Sequence, residues 1–219
     1  MYDQLPRAVQ DLLPRPHTKD RFTHWAARCS SRFLESVLQR PVVACDINAV
    51  VARYLEKALG IREHPMTQLL TNPTWTNKIL DTFGTELHFF YTPYETGKYS
   101  KQENLYYYNG IGFQGDREEF SHDQASLQQA LSERKLCPSP FLVFTVLSFL
   151  NEFQCFGSFV QVEYLTRFKK LWEELGLLPR SVASIPTATL TTGMFPSNPE
   201  FQALDMIVAE KEIPGNPHD

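Results

Sequence analysis

Residues 85–115 read TELHFFYTPYETGKYSKQENLYYYNGIGFQG, and the class of fold turns on them. Aromatic side chains crowd 87–91 and 105–108, and turn formers bound both runs, which predicts two strands. Between them, 92–104 is too long and too polar for a tight hairpin and reads as a connecting loop. Asn109 and Gly110 suit a turn that needs positive φ, with Ile111, Gly112 and Phe113 continuing beyond it. The expectation is a small, mostly antiparallel sheet over 85–115.

Upstream of that stretch the periodicity is helical. Thr18 can cap a helix whose apolar positions Phe22, Trp25, Ala26, Cys29, Phe33 and Val37 recur at spacings of three and four. Pro6, Pro14 and Pro16 punctuate the chain before it, so the opening residues form a short helix or an irregular arm. Asp46 heads a second helix with Ile47, Val50, Val51, Tyr54, Leu55, Ala58 and Leu59 in register, and Gly60 stops it. A third runs from Thr74 to about Phe83, with Gly84 at its end. Downstream, Ser121 or Asp123 starts an amphipathic helix reaching about Arg134.

Residues 141–153 are apolar nearly all round and suit either a buried helix or a central strand, with length favouring helix. Ser158 and Gln161 form a capping box for a helix striped by Leu165, Phe168, Trp172 and Leu175, stopped by Gly176 and Pro179. Residues 181–185 and 188–192 favour strand, 201–207 suit a short helix, and the Pro-rich end after 213 lacks apolar anchors.

These elements predict an α+β fold: N-terminal helices packed on a small mostly antiparallel sheet, with a long C-terminal helix. The runner-up is a three-layer α/β arrangement with 42–44, 141–150 and 188–192 as central strands. The 219 residues read as one globular domain, helical over about 1–84 and sheet-containing over about 85–213. A 42% hydrophobic fraction that includes 16 Phe is enough to fill its core.

Charge excludes some partners. With 21 basic against 25 acidic residues and no basic stripe, the chain lacks the means to displace counterions from a nucleic acid. The longest apolar run, 141–150, is about half of the roughly 20 residues that cross a bilayer, so no membrane association is expected. Cys29, Cys45, Cys137 and Cys155 include no CxxC pair and read as free thiols of a cytoplasmic protein.

The aromatic stretch is also the leading site. Residues 91–108 carry Tyr91, Tyr94, Lys98, Tyr99, Lys101, Tyr106, Tyr107 and Tyr108 beside Glu95 and Glu103. Phenols and ammonium groups close together hold a small polar or anionic ligand by stacking, hydrogen bonding and charge. The alternative is a protein partner docked on the same aromatics. A third reading makes the tyrosines half-buried strand residues and the lysines solvated edge charges.

Two weaker candidates stand beside it. His17, Asp20 and His24 share one helical face, a metal-ligand set, although Pro16 argues that His17 precedes the helix, and no metal is expected. Cys155 precedes the Gly157–Ser158 corner at a helix start, where a thiol becomes nucleophilic if a base such as His88 or His122 reaches it. No cofactor follows from the sequence: P-loop, dinucleotide fingerprint, nucleophile elbow and HExxH are all missing.

Overall fold

The computed structural model describes residues 3, 7–17, 22–96, 99–108, 110–155, 159–178 and 182–188. The chain divides into two compact units, a first whose described part ends at Cys45 and a second spanning Asp46–Thr192.

The first unit holds α1 (Arg7–Leu12) and α2 (Phe22–Leu38). The Trp25 indole donates to the Pro14 carbonyl at 2.7 Å, and the Glu35 carboxylate accepts from the Val42 amide at 3.0 Å. The predicted apolar stripe is present, but its burial is not as expected. Phe22 and Val37 are 76% and 62% exposed, and Trp25 and Phe33 are half-buried. Among the described residues, the six-residue α1 packs against α2 and is too short to cover the stripe of a 17-residue helix. The caps proposed at Thr18 and Ser158, the predicted strand 188–192 beyond residue 188, and the predicted helix 201–207 lie outside the described residues.

The second unit carries the core. α3 (Ile47–Leu59) starts where Asp46 accepts a hydrogen bond from the Ala49 amide, and it turns Val51, Leu55, Ala58 and Leu59 inward. α4 (Pro65–Thr71) and α5 (Pro73–Phe83) meet at Asn72, whose amide ends one helix and whose side chain caps the next. Proline at the first helical position, which needs no N–H there, starts both. Only α5 was legible as a helix. α4 was missed because its start signal is a histidine: the His64 ring accepts from the Met66 amide at 3.1 Å. The proton of that ring therefore sits on Nε2, facing the Tyr54 hydroxyl at 3.2 Å. Gly84 ends α5 at φ 86°, a conformation open to glycine at little cost.

Five antiparallel strands follow: β1 (His88–Thr96), β2 (Tyr99–Tyr108), β3 (Gly112–Gln114), β4 (Glu119–Ser121) and β5 (Cys137–Pro138), ordered β4-β3-β2-β1-β5. The α+β class is thus the observed one, and the three-layer alternative falls. Residues 42–44 form no strand, and 141–150 are helical.

The predicted loop 92–104 is a correction. Thr92 pairs with Glu103, Tyr94 with Lys101 and Thr96 with Tyr99, so the segment is the body of two paired strands. Polar residues mislead here because this part of the hairpin is little covered. Among the described residues, β5 pairs with β1 only at Phe90 and Tyr91, and Pro93 has no N–H to offer along that edge.

A register shift between His88 and Phe90 makes a β-bulge at Phe89. It brings both neighbouring phenylalanines onto Phe113, with ring centroids 5.8 and 5.0 Å away. α6 (Gln124–Ser132) is capped by Asp123, which accepts from the Ser126 amide at 2.9 Å. Ser121, the other proposed start, belongs to β4.

α7 (Pro140–Phe144) runs directly into a π-helical segment over Thr145–Leu150, which resolves the ambiguous apolar run as helix. Phe141 and Phe149 are buried, whereas Phe144 and Leu147 are half-buried. α8 (Phe159–Leu175) closes the core with Leu165, Phe168, Leu171 and Trp172, and Gly176 ends it at φ 59°. The predicted strand at 181–185 is not formed over 182–185. Lys169 donates to the Ala183 and Ile185 carbonyls, which a neighbouring strand would otherwise have used.

Candidate functional site

The pairing sorts the predicted site residues onto two faces, because side chains alternate along a strand and partners share a side. Phe90, Thr92 and Tyr94 lie with Leu105, Glu103 and Lys101, the face that carries the core. Tyr107 joins them opposite Phe113. Tyr91, Asn104, Tyr106 and Tyr108 lie on the other face with Gln114. Among the described residues, the predicted tyrosines and Lys101 are thus divided between the two faces. Lys98 lies outside the described residues, and Tyr99 is placed by its backbone alone, opposite Thr96.

On the core face, the polar residues past Phe90 hold a turn. Glu103 accepts from the Asp116 and Arg117 amides, and the Arg117 guanidinium lies 4.0 Å from the Tyr94 ring centroid. Gly115 leaves the room for this approach, since a Cβ there would meet Glu103 at 2.6 Å. This cluster ties β2 to the β3–β4 connection.

Two hollows are lined by predicted site residues. One, of about 500 Å³, runs along Tyr106 to Tyr108 toward Gly115 and Asp116. Its charged lining residues are Glu103 and Asp116, both acidic, which disfavours an anion.

The second, of about 420 Å³, lies where the start of α3 and the end of α6 meet β1 and β5. Tyr91 lines it with Asp46, Arg53, Ser132, Arg134 and Cys137. The Gln128 side chain donates to the Glu56 carbonyl at 2.9 Å and joins the two helices beside it.

Among the described residues, Tyr91 is the one predicted site residue that is both buried, at 8% exposure, and set in a cleft with cations. Its hydroxyl is pushed up to about 12, first by burial, then by the neighbouring Cys137, to which it donates a hydrogen bond, and by Asp46. It is therefore a neutral donor at any ordinary pH. Burial also raises the Cys137 thiol, with Asp46 adding to the effect, while the Tyr91 hydrogen bond and Arg134 oppose it. This thiol is not an activated nucleophile.

Arg134 has an unusual backbone. It sits just past the α6 cap at φ 58°, where a side chain is strained and glycine is the usual occupant. Amides of Arg134, Lys135 and Leu136 close back on the Leu131 and Ala130 carbonyls and hold it there. The sequence revealed Asp46 only as a cap and Arg134 only as a helix end. Their meeting with Tyr91 spans residues 46 to 137, a juxtaposition with no local signature.

The remaining candidates separate. Cys155 accepts from the Ser148 hydroxyl at 3.2 Å. His88 pairs with Tyr106, and His122 lies edge-on to Tyr107, so neither is placed as its base. Gly157 and Ser158 lie outside the described residues, as does Asp20. His17 precedes α2 and His24 lies in its first turn. Among the described residues no three His, Cys, Asp or Glu side chains group closely enough to hold a metal, and no helix is long and apolar enough to cross a membrane.

Comparison with protein-family models, with curated proteins and with solved structures returned no match, so the functional reading rests on the cleft's own chemistry.

Proposed function

We propose that the chain binds a small polar ligand in the cleft behind Tyr91, as a binding protein or as an enzyme acting on that ligand. The observation that carries this is a buried, neutral hydroxyl opening on a cleft that also presents Arg134 and Asp46. Small-ligand sites are concave, with a few polar groups aimed at one place. At about 420 Å³, the cleft is at the small end of the usual range. The four free thiols favour a reducing compartment, the cytoplasm, as the place of work.

The test is a thermal-shift screen of polar metabolites, because a ligand that binds only the folded chain raises its stability by about 2.7 kcal/mol at 100 times its Kd. A hit at this cleft binds Tyr91→Phe about tenfold more weakly, the worth of one hydrogen bond. No hit, or hits bound equally by Tyr91→Phe and Arg134→Ala, defeats the proposal.

A second reading has one specific observation behind it. Tyr106 and Tyr108 share one sheet face at 39% and 54% exposure, with Ile111 in the adjoining turn at 55%, and such exposed aromatics suit a protein partner. Tyr106→Ser with Tyr108→Ser would abolish that docking and leave metabolite binding unchanged.

A further inference from the structure

We infer that the ligand of the Tyr91 cleft is dipolar, with one anionic and one ammonium group, the chemistry of a free α-amino acid. The inference rests on the proposal that this cleft binds a small ligand. It starts from the charges on the cleft wall, which are Asp46, Arg53, Glu56 and Arg134. Arg53 and Glu56 spend theirs on each other in an ion pair one turn apart on α3. Asp46 and Arg134 remain, one of each sign. Among the described residues neither has an ion-pair partner. They come from different elements, one capping α3 and the other following α6.

Both line the same cleft as Tyr91 and Cys137, and both are exposed, so each charge is accessible to a ligand in that cleft. A simple anion would meet the Arg134 guanidinium but also the Asp46 carboxylate, and the repulsion would offset much of the gain. A ligand carrying both signs satisfies both groups, while the Tyr91 hydroxyl, Ser132 and Asn48 offer neutral hydrogen bonds between them. The cleft volume suits a molecule of that size.

Arg134 adds an independent argument. The position after the α6 cap has the backbone that glycine adopts freely, yet an arginine is held there at φ 58°. Strain retained beside a cleft points to a side chain kept for what it reaches. A glycine at 134 relaxes the turn and removes the cation in one step, so stability and binding move in opposite directions.

The experiment titrates the full chain with the common free α-amino acids, each beside its α-amide and its N-acetyl derivative, by thermal shift and then calorimetry. At least one free amino acid is expected to raise Tm saturably, with its amide and its N-acetyl form bound at least about tenfold more weakly, the loss of one charge-assisted contact. Arg134→Gly should unfold at or above the parent Tm and lose about tenfold or more in affinity. Asp46→Ser retains a capping hydroxyl without the charge and should lose affinity for the free amino acid and its α-amide, which carry the ammonium group, but not for the N-acetyl derivative. An N-acetyl derivative bound as tightly as the free form would overturn the dipolar assignment in favour of a plain anion. If no free amino acid binds while a metabolite from the wider screen does, and depends on Tyr91, the assignment falls and the cleft stands. If nothing binds at all, both fall.

Discussion

Replacing Phe168 with alanine tests the core at its most aromatic point. Phe168 is 6% exposed, and its ring lies 5.4 Å from Phe83, 5.5 Å from Tyr164 and 5.0 Å, edge to face at 84°, from Phe141. Deleting an enclosed phenylalanine forfeits its transfer energy and leaves a cavity, together about 3–5 kcal/mol. Three ring partners place the cost in the upper half of that range. Urea unfolding should therefore show a midpoint lowered by that amount divided by an unchanged slope. The contact with Phe141 can be isolated with leucine in place of alanine. The cycle of Phe141→Leu, Phe168→Leu and the double variant should return a coupling of about 0.5–1.5 kcal/mol. A Phe168→Ala cost below about 1 kcal/mol, or a coupling of zero, would refute the packing of Phe168 against Phe141.

Three further outcomes follow from local chemistry. Tyr91 is protonated in the folded state up to about 12, against an unfolded value near 10, so its contribution to stability is complete below the lower value and is lost as pH rises through the higher one. Alkaline ultraviolet titration should show a late tyrosine that Tyr91→Phe removes. Asp123 is held down to about 2 by its hydrogen bonds to Ser126, so its contribution is present above pH 4 and fades as pH falls through 2. Asp123→Ala should cost about 1 kcal/mol at neutral pH by chemical denaturation, and no loss would show that α6 does not need this cap. All four cysteines are free, so thiol titration of the denatured chain under non-reducing conditions should count four, and a count of two would mean a disulfide.

What the sequence determined by itself was whatever depends on neighbours within a turn or two. Asp46, Asp123, Gly84 and Gly176 mark helix ends because caps and positive-φ stops act over three or four residues. The inward faces of α3 and α8 were legible in the main, since a spacing of three and four leaves little choice of which side is buried, although Ile47 and Val50, read into the α3 stripe, are exposed. Tertiary structure decided what depends on distant partners. Polarity over 92–104 says how much of a strand faces water, whereas pairing across β1 and β2 says that it is a strand. Trp25 and Phe33 sit on an apolar stripe, yet their burial depends on what packs against α2. The tyrosines near one another in sequence part across the sheet because side chains alternate. The cleft that takes Tyr91 is assembled from residues 46 to 137 by the packing of α3 and α6 against the β1–β5 edge, an arrangement no local spacing encodes.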